Sequence, residues 1–153
     1  MVPPRLLADE MLGRLARYLR MLGCDTVYAR GWSDATIART ARADDRVLIT
    51  RDRALAAQVE GAVLVHSLEL ADQLREVAAA VATLPRTVAF VRCTLCNGEL
   101  RPASGSSERA DAAFEPSGTA VFECAACGHR FWEGTHTAAV RRHVAQWVPG
   151  APA

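Results

Sequence analysis

The feature that most constrains this chain is a pair of Cys-x-x-Cys units, Cys93 to Cys96 and Cys124 to Cys127, separated by 27 residues. Four thiolates in two pairs are the ligand set of a closed tetrahedral structural zinc site, because the spacing within a pair lets both sulfurs reach one ion. Gly98 and Gly128 stand just beyond the pairs, where tight turns need them. A redox Cys-x-x-Cys would require one exposed, activated pair in a thioredoxin-like setting, and two pairs that each follow an apolar run fit that poorly. The chain has 153 residues, enough for one core and a small metal-stapled appendage. The expectation is an α/β domain over 1–85 and a four-cysteine zinc ribbon with a terminal helix over 86–153. Within the ribbon, TVAFVRC (87–93) reads as a strand, 101–119 as a long Ser/Gly/Pro loop, and THTAAVRRHVAQW (135–147) as a short helix.

From residue 5 to about 82, short apolar runs alternate with segments of helical period. The runs are Leu6 to Ala8, Thr26 to Ala29, Val47 to Thr50 and Ala62 to Val65. Runs that are apolar throughout suit strands covered on both faces, so the order predicted is β-α-β-α-β-α-β-α around a parallel sheet. The first helix follows Asp9 and carries Leu12, Leu15, Ala16, Leu19 and Leu22 at helical spacing, with Gly23 as its stop. The second begins near Ser33 or Asp34. The third covers Ala54 to Glu60, and Ser67 is placed to cap the fourth, which Pro85 closes. Cys24 reads as a small buried hydrophobe.

Asp9 follows the first strand and Asp52 the third, and in a parallel sheet the carboxyl ends of strands open onto one crevice. Asp34 opens the second helix near the same edge and reads equally as a ligand or as a cap, a role Ser33 could also fill. Carboxylates that converge repel one another unless a cation sits between them. All-oxygen ligation suits Mg²⁺ or Mn²⁺, ions that activate water against phosphodiesters. Arg14, Arg17 and Arg20 step by three along the first helix, and Arg51 and Arg53 flank Asp52; either set is a solvated face or a row of phosphate contacts. His66 ends the fourth strand at the same edge.

Composition narrows the chemistry further. All 18 basic residues are arginine, so a complete Walker phosphate loop and a Schiff-base catalyst are excluded, since each needs an amine. The formal charge of +1 announces no bulk affinity for nucleic acid. The segment MVPPRLLADE does not read as a secretory signal and no apolar stretch reaches membrane-spanning length, so the expectation is a cytoplasmic chain whose five cysteines serve thiolate chemistry.

The segments LLADEMLGRLARYLRMLGCDT, SDATIARTARADDRVLITRDRAL, CTLCNGEL and CAACGHRFWEGTH, in this order, resemble the Mut7-C family, from about residue 5 to about residue 145. The resemblance implies a PIN-like parallel-sheet sandwich with an appended zinc ribbon, and metal-dependent cleavage of RNA. It supports Asp9, Asp34 and Asp52 as the acidic set and the four cysteines as zinc ligands; a further acidic residue that such nucleases use is not identified. Phe131 and Trp132 belong to the family's ending and either pack the ribbon against the α/β domain or stack a single-stranded base. His129, His136 and His143 are not expected to bind zinc, because four thiolates complete the site. The leading expectation is an Mg- or Mn-dependent ribonuclease whose arginines and ribbon hold RNA. The alternatives are a non-catalytic module that binds RNA or protein, and a phosphoacceptor domain, which the missing lysine disfavours.

Overall fold

The computed structural model describes residues 1–105, 116 and 118–152. Four parallel strands, β1 (Arg5–Asp9), β2 (Asp25–Ala29), β3 (Val47–Thr50) and β4 (Val63–Leu64), form a sheet in the order β2-β1-β3-β4. Leu6, Leu7, Ala8, Leu48 and Ile49 are fully buried because both faces of the sheet are covered. That burial is why their sequence runs are apolar throughout rather than alternating. The chain leaves β1 for β2 on one side and then crosses to β3 on the other, so strand order reverses between β1 and β3. The carboxyl ends of those two strands therefore flank the crevice where open α/β sheets bind their ligands.

The helices are α1 (Gly13–Met21), entered through a 3-10 turn at Glu10–Leu12, α2 (Asp34–Ala43), α3 (Arg53–Ala56) and α4 (Leu70–Ala80). The third is shorter than its predicted span: after Ala57 the backbone continues through single i→i−3 bonds from Gln58 to Leu55 and from Val59 to Ala56. Ser67 does not cap α4. Glu69 occupies that position without a side-chain bond, while the Ser67 backbone N–H donates to the Glu76 carboxylate. One core cluster packs α1 and α4 on one face of the sheet, and a smaller one places Ile37, Ala38, Ala41 and Leu55 on the other.

The ribbon is a three-stranded antiparallel sheet of β5 (Leu100–Pro102), β6 (Val121–Cys124) and β7 (Arg130–Trp132). Most of 101–119 lies outside the described residues, and its first two, Arg101 and Pro102, belong to β5 rather than to a loop. TVAFVRC is not a strand. Among the described residues its only ladder-type pairing is an isolated bridge between Arg92 and Glu99, and the rest is tied by single bonds, Ala89 N–H to Met21 O and Leu100 N–H to Val91 O. This apolar segment is a strap between the two sheets. The terminal helix α5 (Thr135–Trp147) follows the ribbon and returns to the α/β core, where Val140, Val144 and Val148 are buried with Leu74, Val77 and Leu84.

Candidate active site and zinc centre

Asp9 ends β1 and Thr50 ends β3 beside it, since Ala8 pairs with Ile49 one step earlier in the register. The buried Thr50 hydroxyl donates to Asp9 Oδ2 at 2.7 Å and accepts from the Asp52 N–H at 3.0 Å. Asp9 Oδ1 accepts from the Glu10 N–H, and Asp52 Oδ1 caps α3 by accepting from the Leu55 N–H. One hydroxyl thus holds the Asp9 carboxylate and the Asp52 backbone at the mouth of the crevice, and each carboxylate retains lone pairs for a further partner. Arg51 lies between them in sequence. Its Nε is buried with no hydrogen-bond partner among the described residues, as is that of Arg46 at the amino end of the sheet.

Asp34 sits exposed in the first turn of α2, where Ser33 is the cap, its hydroxyl accepting from the Thr36 N–H. Asp9, Asp34 and Asp52 do not draw together into a three-ligand group; among the described residues the only such group of His, Cys, Asp or Glu is the four cysteines. His66 is exposed at the same sheet edge. Its backbone N–H donates to Glu76 Oε2 and its ring stands 3.3 Å from that oxygen. Glu76 titrates below the usual range: burial opposes ionisation, but the His66 and Ser67 donors outweigh it.

The Cys93, Cys96, Cys124 and Cys127 sulfurs all lie within 4.8 Å of one another, with Cys93–Cys127 at 3.8 Å and Cys96–Cys124 at 3.4 Å. A tetrahedral ion with bonds of about 2.3 Å sets sulfurs roughly 3.8 Å apart, so the donor set and spacing fit zinc. The Gly98 N–H points at Cys96 Sγ and the Cys127 N–H at Cys124 Sγ, each at 3.4 Å, and such donors favour the thiolate form. Gly128 takes the left-handed turn of the second knuckle with φ 73°, but in the first knuckle that residue is Asn97, at φ 70°. Gly98 is needed for space instead: a Cβ there would stand 2.7 Å from Cys124 Sγ. Cys24 lies apart from this centre, fully buried, and burial pushes its thiol up to about 12.

Of the arginines, Arg14, Arg17 and Arg53 are exposed, but Arg20 does not join a flank with the first two. It is 6% exposed, and its guanidinium donates to Thr26 O at 2.9 Å and to Thr94 O at 2.9 Å. Asn97 reinforces this joint. Its side-chain oxygen accepts from the Thr26 N–H at 2.8 Å and its nitrogen donates to Asp25 Oδ1 at 2.7 Å. Arg46 grips the same Asp25 with two bonds. Although burial opposes its ionisation, Asp25 is held at about 2 by the Arg46 and Asn97 donors. Since Asp25 pairs with Arg5 and Ala29 with Asp9, the knuckle grips the amino end of the sheet, roughly 13 Å from the acids at 3.3 Å per residue.

Sequence reasoning did not single out Thr50, Asn97 or Glu76. Thr50 was the findable one, as the only polar residue in an otherwise apolar run, adjacent in register to Asp9. A family model described as the Mut7-C RNAse domain matches residues 4–144. No curated protein and no solved structure gave a significant match.

Proposed function

Because the chain belongs to the Mut7-C family, we propose that it is a ribonuclease that hydrolyses RNA phosphodiester bonds at the crevice formed by Asp9 and Asp52. The observation that carries this reading is the Thr50 hydroxyl, which links the Asp9 carboxylate to the Asp52 backbone N–H at the strand-order reversal between β1 and β3. Mg²⁺ characteristically takes one or two carboxylates and completes its shell with waters and substrate phosphates, which suits the pair Asp9 and Asp52. When bound there, Mg²⁺ or Mn²⁺ supplies charge neutralisation at the phosphate and lowers the pKa of water. The chain's own residues do the rest. Thr50 and the Glu10 and Leu55 N–H groups fix the carboxylates. Arg51 and Arg53 offer phosphate donors, and Asp34 joins as an outer acid when substrate is present. In this reading 1–85 is the nuclease unit and 86–153 carries the structural zinc. No helix among the described residues is long and apolar enough to cross a membrane, and we place the activity in the cytoplasm.

The second reading is a non-catalytic module that binds RNA or protein through the same surfaces. It is favoured by one observation, that the three aspartates do not form a compact ligand group. Zinc-loaded protein incubated with labelled mixed-sequence single-stranded RNA, with and without Mn²⁺ or Mg²⁺, separates the two. Cleavage that requires both the added ion and Asp9, tested with Asp9→Asn, supports the nuclease. Binding without cleavage under every ion would leave the module.

A further inference from the structure

An apolar recess lies away from the acidic crevice, none of whose aspartates lines it. It is a cavity of about 400 Å³ between the strap, the ribbon and the start of α5, within the size range of small-ligand pockets. Phe90, Phe131 and Trp132 supply its aromatic wall, Met21 its floor at the end of α1, and Arg92 and His136 stand among its polar residues. Among the described residues no carboxylate lines it. Such a recess suits a flat apolar ring that carries negative charge on one side, as a nucleobase with its phosphate does.

Two arginines of α1 stand between this cavity and the acidic crevice. Residues 14, 17, 18 and 21 share one face of α1, at helical spacing. Arg14 and Arg17 are exposed on that face, and neither makes an ion pair among the described residues. The face begins at Arg14, five residues after the end of β1, and ends at Met21 in the cavity lining, with Tyr18 between them packed against His143 and Trp147 of α5. The nine residues of α1 cover about 13 Å, a distance a short extended strand can bridge.

We propose that the cavity is a subsite for one unpaired base of single-stranded RNA, whose backbone runs along Arg17 and Arg14 to the Asp9 edge. This rests on the nuclease reading for its direction, but it concerns binding and is read separately. Duplex RNA is excluded as the occupant because its bases are stacked and paired, and cannot enter a recess singly.

The test is fluorescence anisotropy of a labelled 12-nucleotide single-stranded RNA with zinc-loaded protein, without added divalent cation, beside a blunt duplex of the same sequence. Trp132→Ala should weaken single-strand binding about five- to 100-fold, the range seen when one stacking platform is removed, and Trp132→Phe should restore most of it. His136→Glu, at an exposed position that does not hold the fold, should weaken binding at least tenfold. Arg14→Gln with Arg17→Gln should lower the salt slope by about 0.7 for each phosphate that is no longer neutralised. Wild-type affinity in both Trp132→Ala and His136→Glu would overturn the subsite and leave the cavity to a peptide or small molecule. Equal weakening for single strand and duplex would overturn it too. Failure to cleave, with these binding effects intact, would count against the nuclease alone.

Discussion

Replacing Asn97 by glycine should loosen the joint between the zinc knuckle and the sheet without disturbing the knuckle's backbone. The left-handed φ of 70° is natural for glycine, so the substitution isolates the side-chain bonds. Two are lost. The Thr26 N–H, on a fully buried residue, loses its acceptor, which costs about 1–3 kcal/mol for an unsatisfied buried donor. The Asp25 carboxylate loses one donor, about 1 kcal/mol since Arg46 and solvent still serve it. Relief of the left-handed backbone returns somewhat less than about 1 kcal/mol. The net loss is about 1–3 kcal/mol, equivalent to roughly 3–10 °C in melting temperature for a domain of this size. Urea and thermal unfolding in zinc-replete buffer, followed by circular dichroism and tryptophan fluorescence, should show it. With zinc removed the gap between variant and wild type should narrow, because the ligands organise the turn that aims Asn97. A loss below about 0.5 kcal/mol in zinc-loaded protein would refute the claim that this side chain holds the two parts together.

Thr50→Val keeps the shape of a buried side chain but deletes the hydroxyl between Asp9 and Asp52; cleavage should fall by at least tenfold in kcat with RNA affinity kept, measured by single-turnover assay. Asp25 has its carboxyl held at about 2, below the unfolded value, so its contribution to stability is present above about pH 4 and fades as the pH falls toward about 2. The stability gap between wild type and Asp25→Asn should shrink over that window in acid unfolding curves; a gap that stays constant would contradict it. Gly98→Ala drives a Cβ against Cys124 Sγ and should lower zinc affinity about tenfold or more in competition with a chromogenic chelator, the order of effect seen when a site's supporting shell is altered.

The sheet was legible because Leu6, Leu7, Leu48 and Ile49 are buried on both sides and nothing in their surroundings competes with that pattern. The zinc centre was legible because ligand type and spacing are local properties. The errors have the opposite character. Arg20 shares its helical spacing with Arg14 and Arg17, and what buries it is a pair of carbonyls at Thr94 and Leu95, more than 70 residues away. The strap read as a strand because apolarity reports burial, and these residues are partly buried against helices without a neighbouring strand to pair with. Asn97 was hidden behind Gly98: both are turn residues, and only the packing of the second knuckle shows which one needs the left-handed backbone and which one needs the absence of a side chain.

The return of α5 to the α/β core gives the chain a timetable. Val140, Val144 and Val148 close the same core as Leu15, Leu74 and Val77, yet they are synthesised after both knuckles. As the protein emerges from the ribosome, the half that bears Asp9 and Asp52 is finished in sequence long before its apolar face is covered. The first knuckle, which Arg20 and Asn97 join to Thr26 and Asp25, also precedes the last helix in the chain. A chain that stops before Val140 should therefore leave part of the α1 and α4 face uncovered, and protease should cut it there.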